Sequence, residues 1–300
     1  MSALSISLFF PYPLKNLKEL HLGWMSLALT HSQFFRALAL HTSVTTLSIV
    51  RVSFAMGTQI ARLIHCFPAL SNLRVEEIDI TFDDHNTLAP VSKSQRRIPR
   101  LSTFRFSGDA KHFESLMTLA IPFSIETVRY MHIECLGFAG ISIAVARSGS
   151  SLVDLHLILE SQGTTPSSLD YIDFHTNTSL QTISLKADDG ISITKLPLLC
   201  AILSTISSTN LRRLSLELNF TETITEGSSV DINVATVQQL QTFVSLDNLL
   251  QTKVFCSLEL VSVRTRAVEP YPPQGDILLK EGFWSGRIGN VRNWTGEKAY

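Results

Sequence analysis

The stretch FPALSNLRVEEIDI, Phe67–Ile80, decides how this chain folds. A Phe-Pro breaker opens it. Leu70, Leu73 and Val75 follow, with polar Asn72, Arg74 and Glu76 around the last two. Proline cannot continue a helix and sets the backbone up for extension. Apolar residues at alternate places then mark a strand with one buried face.

Working outward, the pattern apolar-x-x-apolar-x-apolar recurs nine times. It is read at Leu17, Leu20, Leu22; Val44, Leu47, Ile49; Leu70, Leu73, Val75; Leu101, Phe104, Phe106; and Ile125, Val128, Tyr130. It continues at Leu152, Leu155, Leu157; Leu180, Ile183, Leu185; Leu211, Leu214, Leu216; and Leu258, Val261, Val263. The interval is about 24–31 residues, with one longer gap before Leu258. A period in this range is the mark of a repeat architecture.

The spacers carry a helical period instead. SQFFRALALH from Ser32, TQIARLIHCF from Thr58, KHFESLMTLA from Lys111, GISIAVARSG from Gly140 and LPLLCAILSTI from Leu196 place apolar residues three and four apart. Each unit is therefore a short strand followed by a helix. One such unit cannot bury its own apolar face, and stacking does bury it. The expected fold is an α/β solenoid with one parallel sheet on its open, concave side and helices on the other. A doubly wound α/β domain also alternates strand and helix, but it does not demand the same apolar spacing nine times.

These triplets resemble those of the leucine-rich-repeat proteins over roughly Leu17 to Val263. Phrases such as FPALSNLRVEEI and NLKELHLGWMSL resemble the F-box-type leucine-rich-repeat proteins of mushroom-forming fungi. The resemblance implies a horseshoe with a parallel concave sheet and outer helices. It also implies a substrate-recognition repeat region of a ubiquitin-ligase receptor, without its F-box in this chain. In the family, Asn or Cys usually stands three residues after the last apolar residue. Here the first three such places hold Met25, Val52 and Ile78, and only Asn219 fits, so the units are degenerate.

The open face is expected to carry the x between the last two apolar positions: His21, Ser48, Arg74, Arg105, Arg129, His156, Ser184, Ser215 and Ser262. Adjacent strands lie about 4.8 Å apart, so these side chains form a row. Arg74, Arg105 and Arg129, with His156 and His21, are the candidate partner-binding residues. An arginine row suits an acidic or phosphorylated segment of a protein partner. The bland alternative is that the arginines are solvated or paired with neighbours such as Glu76 and Asp154.

Composition narrows the function classes. Apolar residues make up 45% and charged ones 17%, the balance of an ordered chain. Lys plus Arg is 25 against 26 for Asp plus Glu, so no global field recruits nucleic acid or anionic lipid. Cys66, Cys135, Cys200 and Cys256 form no CxxC pair and are expected to be buried free thiols of a reducing, cytoplasmic or nuclear, compartment. The apolar run LGFAGISIAVA from Leu136 is shorter than the ~20 residues that a membrane span needs. Ser-x-x-Lys at Ser192 and His-x-Glu at His132 lack their companion motifs, and GxGxxG, phosphate loops and GxSxG are absent. The trio Asp83, Asp84, His85 reads as a solvated loop. No cofactor, metal or catalytic residue is expected, and the chain reads as a non-catalytic protein-protein interaction module. A scaffolding repeat protein with no ubiquitin-ligase link is the alternative.

The repeats are expected to fill residues 1–266, with a cap or tail at 267–300. Polar TETITEGSSVD and helix-like VATVQQLQTFVSLDNLLQ interrupt them before Leu258. The final stretch, rich in Pro and Gly and holding Trp284 and Trp294, is either a loop-rich cap or a free tail that offers its tryptophans to a partner.

Overall fold

The computed structural model describes residues 16–82, 98–118, 123–135, 139–159, 172–187, 191–192, 196–219, 244–268 and 279–286. The chain divides into two compact units, residues 1–152 and 153–300. Both are α/β, built on parallel strands, and compatible with a solenoid-like arrangement. No helix among the described residues is long and apolar enough to cross a membrane.

In the first unit the strands are β1 (Glu19–Ser26), β2 (Thr46–Met56), β3 (Asn72–Glu76), β4 (Asp79–Phe82), β5 (Thr103–Gly108) and β6 (Tyr130–Cys135). They pair in parallel in the order β1-β2-β3-β5-β6, with β4 beside the far end of β2. Among the described residues four helices alternate with them: α1 (Ser32–Leu38), α2 (Gly57–His65), α3 (Ala110–Thr118) and α4 (Ala139–Ser148).

The register repeats the sequence pattern. Leu20, Leu47, Leu73, Phe104 and Met131 stand in line across five strands, and Leu22, Ile49, Val75, Phe106 and Ile133 form the next line. Leu47, Ile49, Leu73, Val75, Phe104, Phe106, Met131 and Ile133 are all buried. The fifth triplet is therefore Val128, Met131, Ile133, three residues later than the spacing suggested. Two overlapping patterns were available, and Ile125 takes a different buried place, in the 3-10 turn Ile125–Thr127 before the strand.

Strand entry is just as regular. One carbonyl accepts two successive amides of the next unit: Lys18 O from Thr45 (2.8 Å) and Thr46 (3.0 Å), Ser71 O from Ser102 (2.7 Å) and Thr103 (3.1 Å), and Ser102 O from Arg129 (2.9 Å) and Tyr130 (3.1 Å). Hydroxyls join this ladder, with Ser71 Oγ donating to Thr45 O (3.2 Å) and Thr127 Oγ1 to Leu101 O (2.7 Å). Polar entry residues thus satisfy backbone groups that the stacking would otherwise leave buried.

The helices cover the apolar side of the sheet. In α2, Ile60, Leu63 and Ile64 are buried, while Arg62 and His65 sit in the last turn, where positive charge opposes the helix dipole. The chain leaves α2 through Cys66 and Phe67 into Pro68. Asp109 Oδ1 accepts from Lys111 N (2.7 Å) at the start of α3, as an N-terminal cap does. Phe113 of α3 meets Phe106 at 4.7 Å and Phe104 at 6.2 Å between ring centroids, and Phe123 meets Phe104 at 5.5 Å. Helix α4 approaches this cluster so closely that a Cβ at Gly140 would lie 2.6 Å from the Phe113 ring.

Beyond the first four triplets of the first unit, the backbone kinks. Trp24, Arg51 and Glu77 have φ of 55°, 54° and 47°, and Gly108 has 146°. All four stand two residues past the last apolar position. After the kink the next buried residue comes at a spacing of three: Ile49 to Val52, and Val75 to Ile78. Val52 and Ile78 occupy the place that Asn or Cys would take in the family pattern. An apolar side chain there is drawn into the core, and the chain runs on extended, so that Ser53, Phe54 and Met56 pair with Asp79, Ile80 and Phe82.

The second unit holds β7 (Asp154–Leu159), β8 (Thr182–Ala187), β9 (Ile191–Ser192), α5 (Leu196–Ser204), β10 (Arg213–Asn219), β11 (Leu260–Val268) and β12 (Leu279–Gly286). Strands β7, β8, β10 and β11 pair in parallel, and β9 pairs with β10. Leu155, Ile183, Leu214 and Val261 stand in line and are buried. Gln181 O accepts from Arg212 (2.8 Å) and Arg213 (3.0 Å), the same strand-entry ladder as in the first unit. Only 244–251 of the helix-like stretch before Leu258 is described, and 244–250 is helical.

Part of the final 34 residues takes strand form. Strand β12 runs antiparallel to β11, with Trp284 opposite Val263. Trp294 and the trio Asp83, Asp84, His85 lie outside the described residues. Among the cysteines, Cys66 is buried, Cys200 is half-buried and Cys256 is exposed. Burial of all four thiols therefore does not hold: Phe255, not Cys256, is the buried anchor of the turn Lys253–Phe255.

Candidate functional site

The face of the first-unit sheet turned away from the helices carries the candidate site. Strand alternation places His21, Ser48, Arg74, Arg105 and His132 on it in register, one from each strand. His21, Arg74 and Arg105 are exposed, His132 is partly exposed, and Ser48, between longer neighbours, is buried.

Arg129 does not belong to this row. The register sets His132 opposite Arg105, and Arg129 is the exposed strand-entry residue whose amide binds Ser102 O. The three-residue shift of the fifth triplet is the cause. His156 occupies the same strand position in the second unit, where its row continues through Ser184, Ser215 and Ser262.

The two row arginines differ in charge environment. Arg74 Nε donates to Glu76 Oε1 at 2.5 Å, and this bond holds its guanidinium above the ordinary value. Glu76 stands one place further along the same face, so Arg74 is already neutralised locally. Arg105 lies over the Tyr130 ring at 5.2 Å from its centroid and has no carboxylate partner among the described residues. Stacking on an aromatic face holds a guanidinium in place without cancelling its charge. His21 Nε2 lies 3.9 Å from Glu19 Oε2.

A second set of side chains borders the row, at the kinks. Arg51 lies over the Trp24 ring at 4.3 Å and grips Glu77 with two bonds, Nε to Oε2 at 2.5 Å and Nη2 to Oε1 at 3.1 Å. Trp24 is 76% exposed. The Arg51 bond holds the Glu77 carboxyl below its ordinary value. Three consecutive units thus present indole, guanidinium and carboxylate side by side. A large exposed aromatic braced by a cation is the type of group that anchors interfaces. Sequence reasoning confined to the triplets passed over this column; its signal was Trp24, Arg51 and Glu77 at equal distances beyond them.

The site offers cations, an aromatic anchor and hydroxyls on rigid strands. Among the described residues no group of three or more His, Cys, Asp or Glu is placed to hold a metal ion. No family model matches the chain, and no curated protein matches it significantly.

Proposed function

We propose that this protein is a non-catalytic protein-protein interaction module of the leucine-rich-repeat type, which holds a partner on the open sheet face of its first unit. The observation that carries this reading is the in-register outward row. Arg105, exposed, stacked on Tyr130 and unpaired with any described carboxylate, stands in it between Arg74 and His132. Paired strands about 4.8 Å apart fix the spacing of such a row, so that an extended segment can run along it.

The partner segment is acidic or phosphorylated and docks on Arg105, with Trp24, three strands away on β1, as an apolar anchor. The resemblance to fungal F-box-type proteins supports assigning the partner as a ubiquitin-ligase substrate, with the chain acting in the cytoplasm or nucleus beside ubiquitin-ligase subunits.

The test is quantitative affinity purification with the full chain and with Arg105→Glu and Trp24→Ala variants of unchanged circular dichroism. The reading expects a defined set of partners, ubiquitin-ligase subunits among them, that falls sharply with either variant. Identical partner sets for all three proteins would refute the face. Loss of the set without any ligase subunit in it would leave the binding module and remove the ligase link.

A further inference from the structure

On the opposite side of the first unit, α1 and α2 frame an open pocket of about 550 Å³. Small-molecule sites span roughly 300–1,000 Å³. Phe35 and Cys66, both buried, form its floor, and Ser32, Thr42, Arg36 and Arg62 line its walls together with His65. Arg62 lies over the Phe35 ring at 5.1 Å, which fixes its guanidinium against the floor.

The charge pattern is one-sided. The chain carries 26 acidic residues, yet none lines this pocket. Arg51, Arg74 and Arg212 each meet a carboxylate, at 2.5, 2.5 and 3.6 Å. Arg36 and Arg62 have no carboxylate partner among the described residues. Two guanidinium forks and two hydroxyls offer more donors than one carboxylate can accept. The three terminal oxygens of a phosphoryl group match them better. The apolar floor adds room for a hydrocarbon or ring beside the anion.

We infer that this pocket binds a small phosphomonoester, with the phosphoryl group between Arg36 and Arg62 and the organic body against the apolar lining of Ala39, Cys66 and Pro68. This site is independent of the sheet face, so its failure would leave the proposed partner surface standing.

Phenyl phosphate is the probe, titrated calorimetrically into the full chain, with phenol, inorganic phosphate and a phosphoserine peptide as comparison arms. The inference expects saturable binding of phenyl phosphate about tenfold tighter than that of phenol or phosphate, because both halves contribute. The Arg36→Gln, Arg62→Gln double variant is expected to weaken it by about tenfold or more, each lost charge-assisted bond being worth that much. Thr42→Glu, which leaves both arginines and brings a competing carboxylate to the wall, is expected to do the same. Phenyl phosphate binding no better than phenol, or binding untouched by both variants, would overturn the site. Tighter binding of the phosphoserine peptide would overturn the small-molecule assignment.

Discussion

The two units share an inward frame and differ in what they turn outward. In both, the middle apolar residue of each triplet stands in line across the sheet, and one carbonyl at strand entry serves two amides of the next unit. The outward rows diverge. The first unit shows His21, Ser48, Arg74, Arg105 and His132; the second shows His156 and then Ser184, Ser215 and Ser262. The non-glycine kinks among the described residues, at Trp24, Arg51 and Glu77, all lie in the first unit. The equivalent Leu218 of the second unit sits in an unbroken strand, paired with Thr265. Stacking constrains the inward positions most tightly, so the outward positions are free to differ between the units.

The largest expected effects test the shared frame. Phe104→Ala and Leu155→Ala each empty a fully buried place, one in each unit, and should cost about 3–5 and about 2–5 kcal/mol in a denaturant titration. A value near zero for either would mean that the register of that unit is wrong. A smaller effect separates close packing from burial. Gly140→Ala adds one methyl against the Phe113 ring and should destabilise by about 1–3 kcal/mol. Neutral behaviour there would show that α3 and α4 are not in close contact.

The outward positions give finer contrasts. Glu77 is held down first by the side-chain bond from Arg51, whereas Asp173 is held down first by the backbone N–H of His175. Both folded values are depressed. Their stabilisation is therefore present above the ordinary carboxyl values and is lost as pH falls through the lower folded ones. Arg51→Gln should return Glu77 toward its ordinary value. His175→Ala keeps the backbone donor, so Asp173 should remain low. Side-chain carboxyl shifts followed by NMR against pH distinguish the two, and an Asp173 that rises as far as Glu77 would contradict this assignment. The smallest effect is expected from Arg129→Ala, which lies off the row and should leave partner capture unchanged.

The residues made the frame legible and the face only partly so. Eight of the nine triplets stand where the apolar spacing put them, because burial repeats a strict pattern that stacking enforces. The fifth did not, because Ile125, Val128 and Tyr130 overlap with Val128, Met131 and Ile133, and spacing alone cannot choose between them. That one ambiguity carried Arg129 into the row and left His132 out. The pairing of Arg74 with Glu76 was foreseeable as neighbours on one strand. The Trp24–Arg51–Glu77 column showed only as equal offsets beyond the triplets, because its backbone kinks fall at residues other than glycine. The pocket between α1 and α2 was likewise hidden, since it joins residues from two helices and the turns behind them.

The central claim is that inward residues make the fold while the outward row of the first unit makes the function. Replacing Arg74 and Arg105 together by Ser, so that this row resembles that of the second unit, separates the two most directly. The measurement is the unfolding midpoint of the double variant, alongside its titration with a partner purified on the parent protein. The account predicts a midpoint close to that of the parent and binding weaker by about tenfold or more, as loss of a charge-assisted contact entails. Undiminished binding would contradict it, as would a loss of binding that merely follows a collapse of the fold.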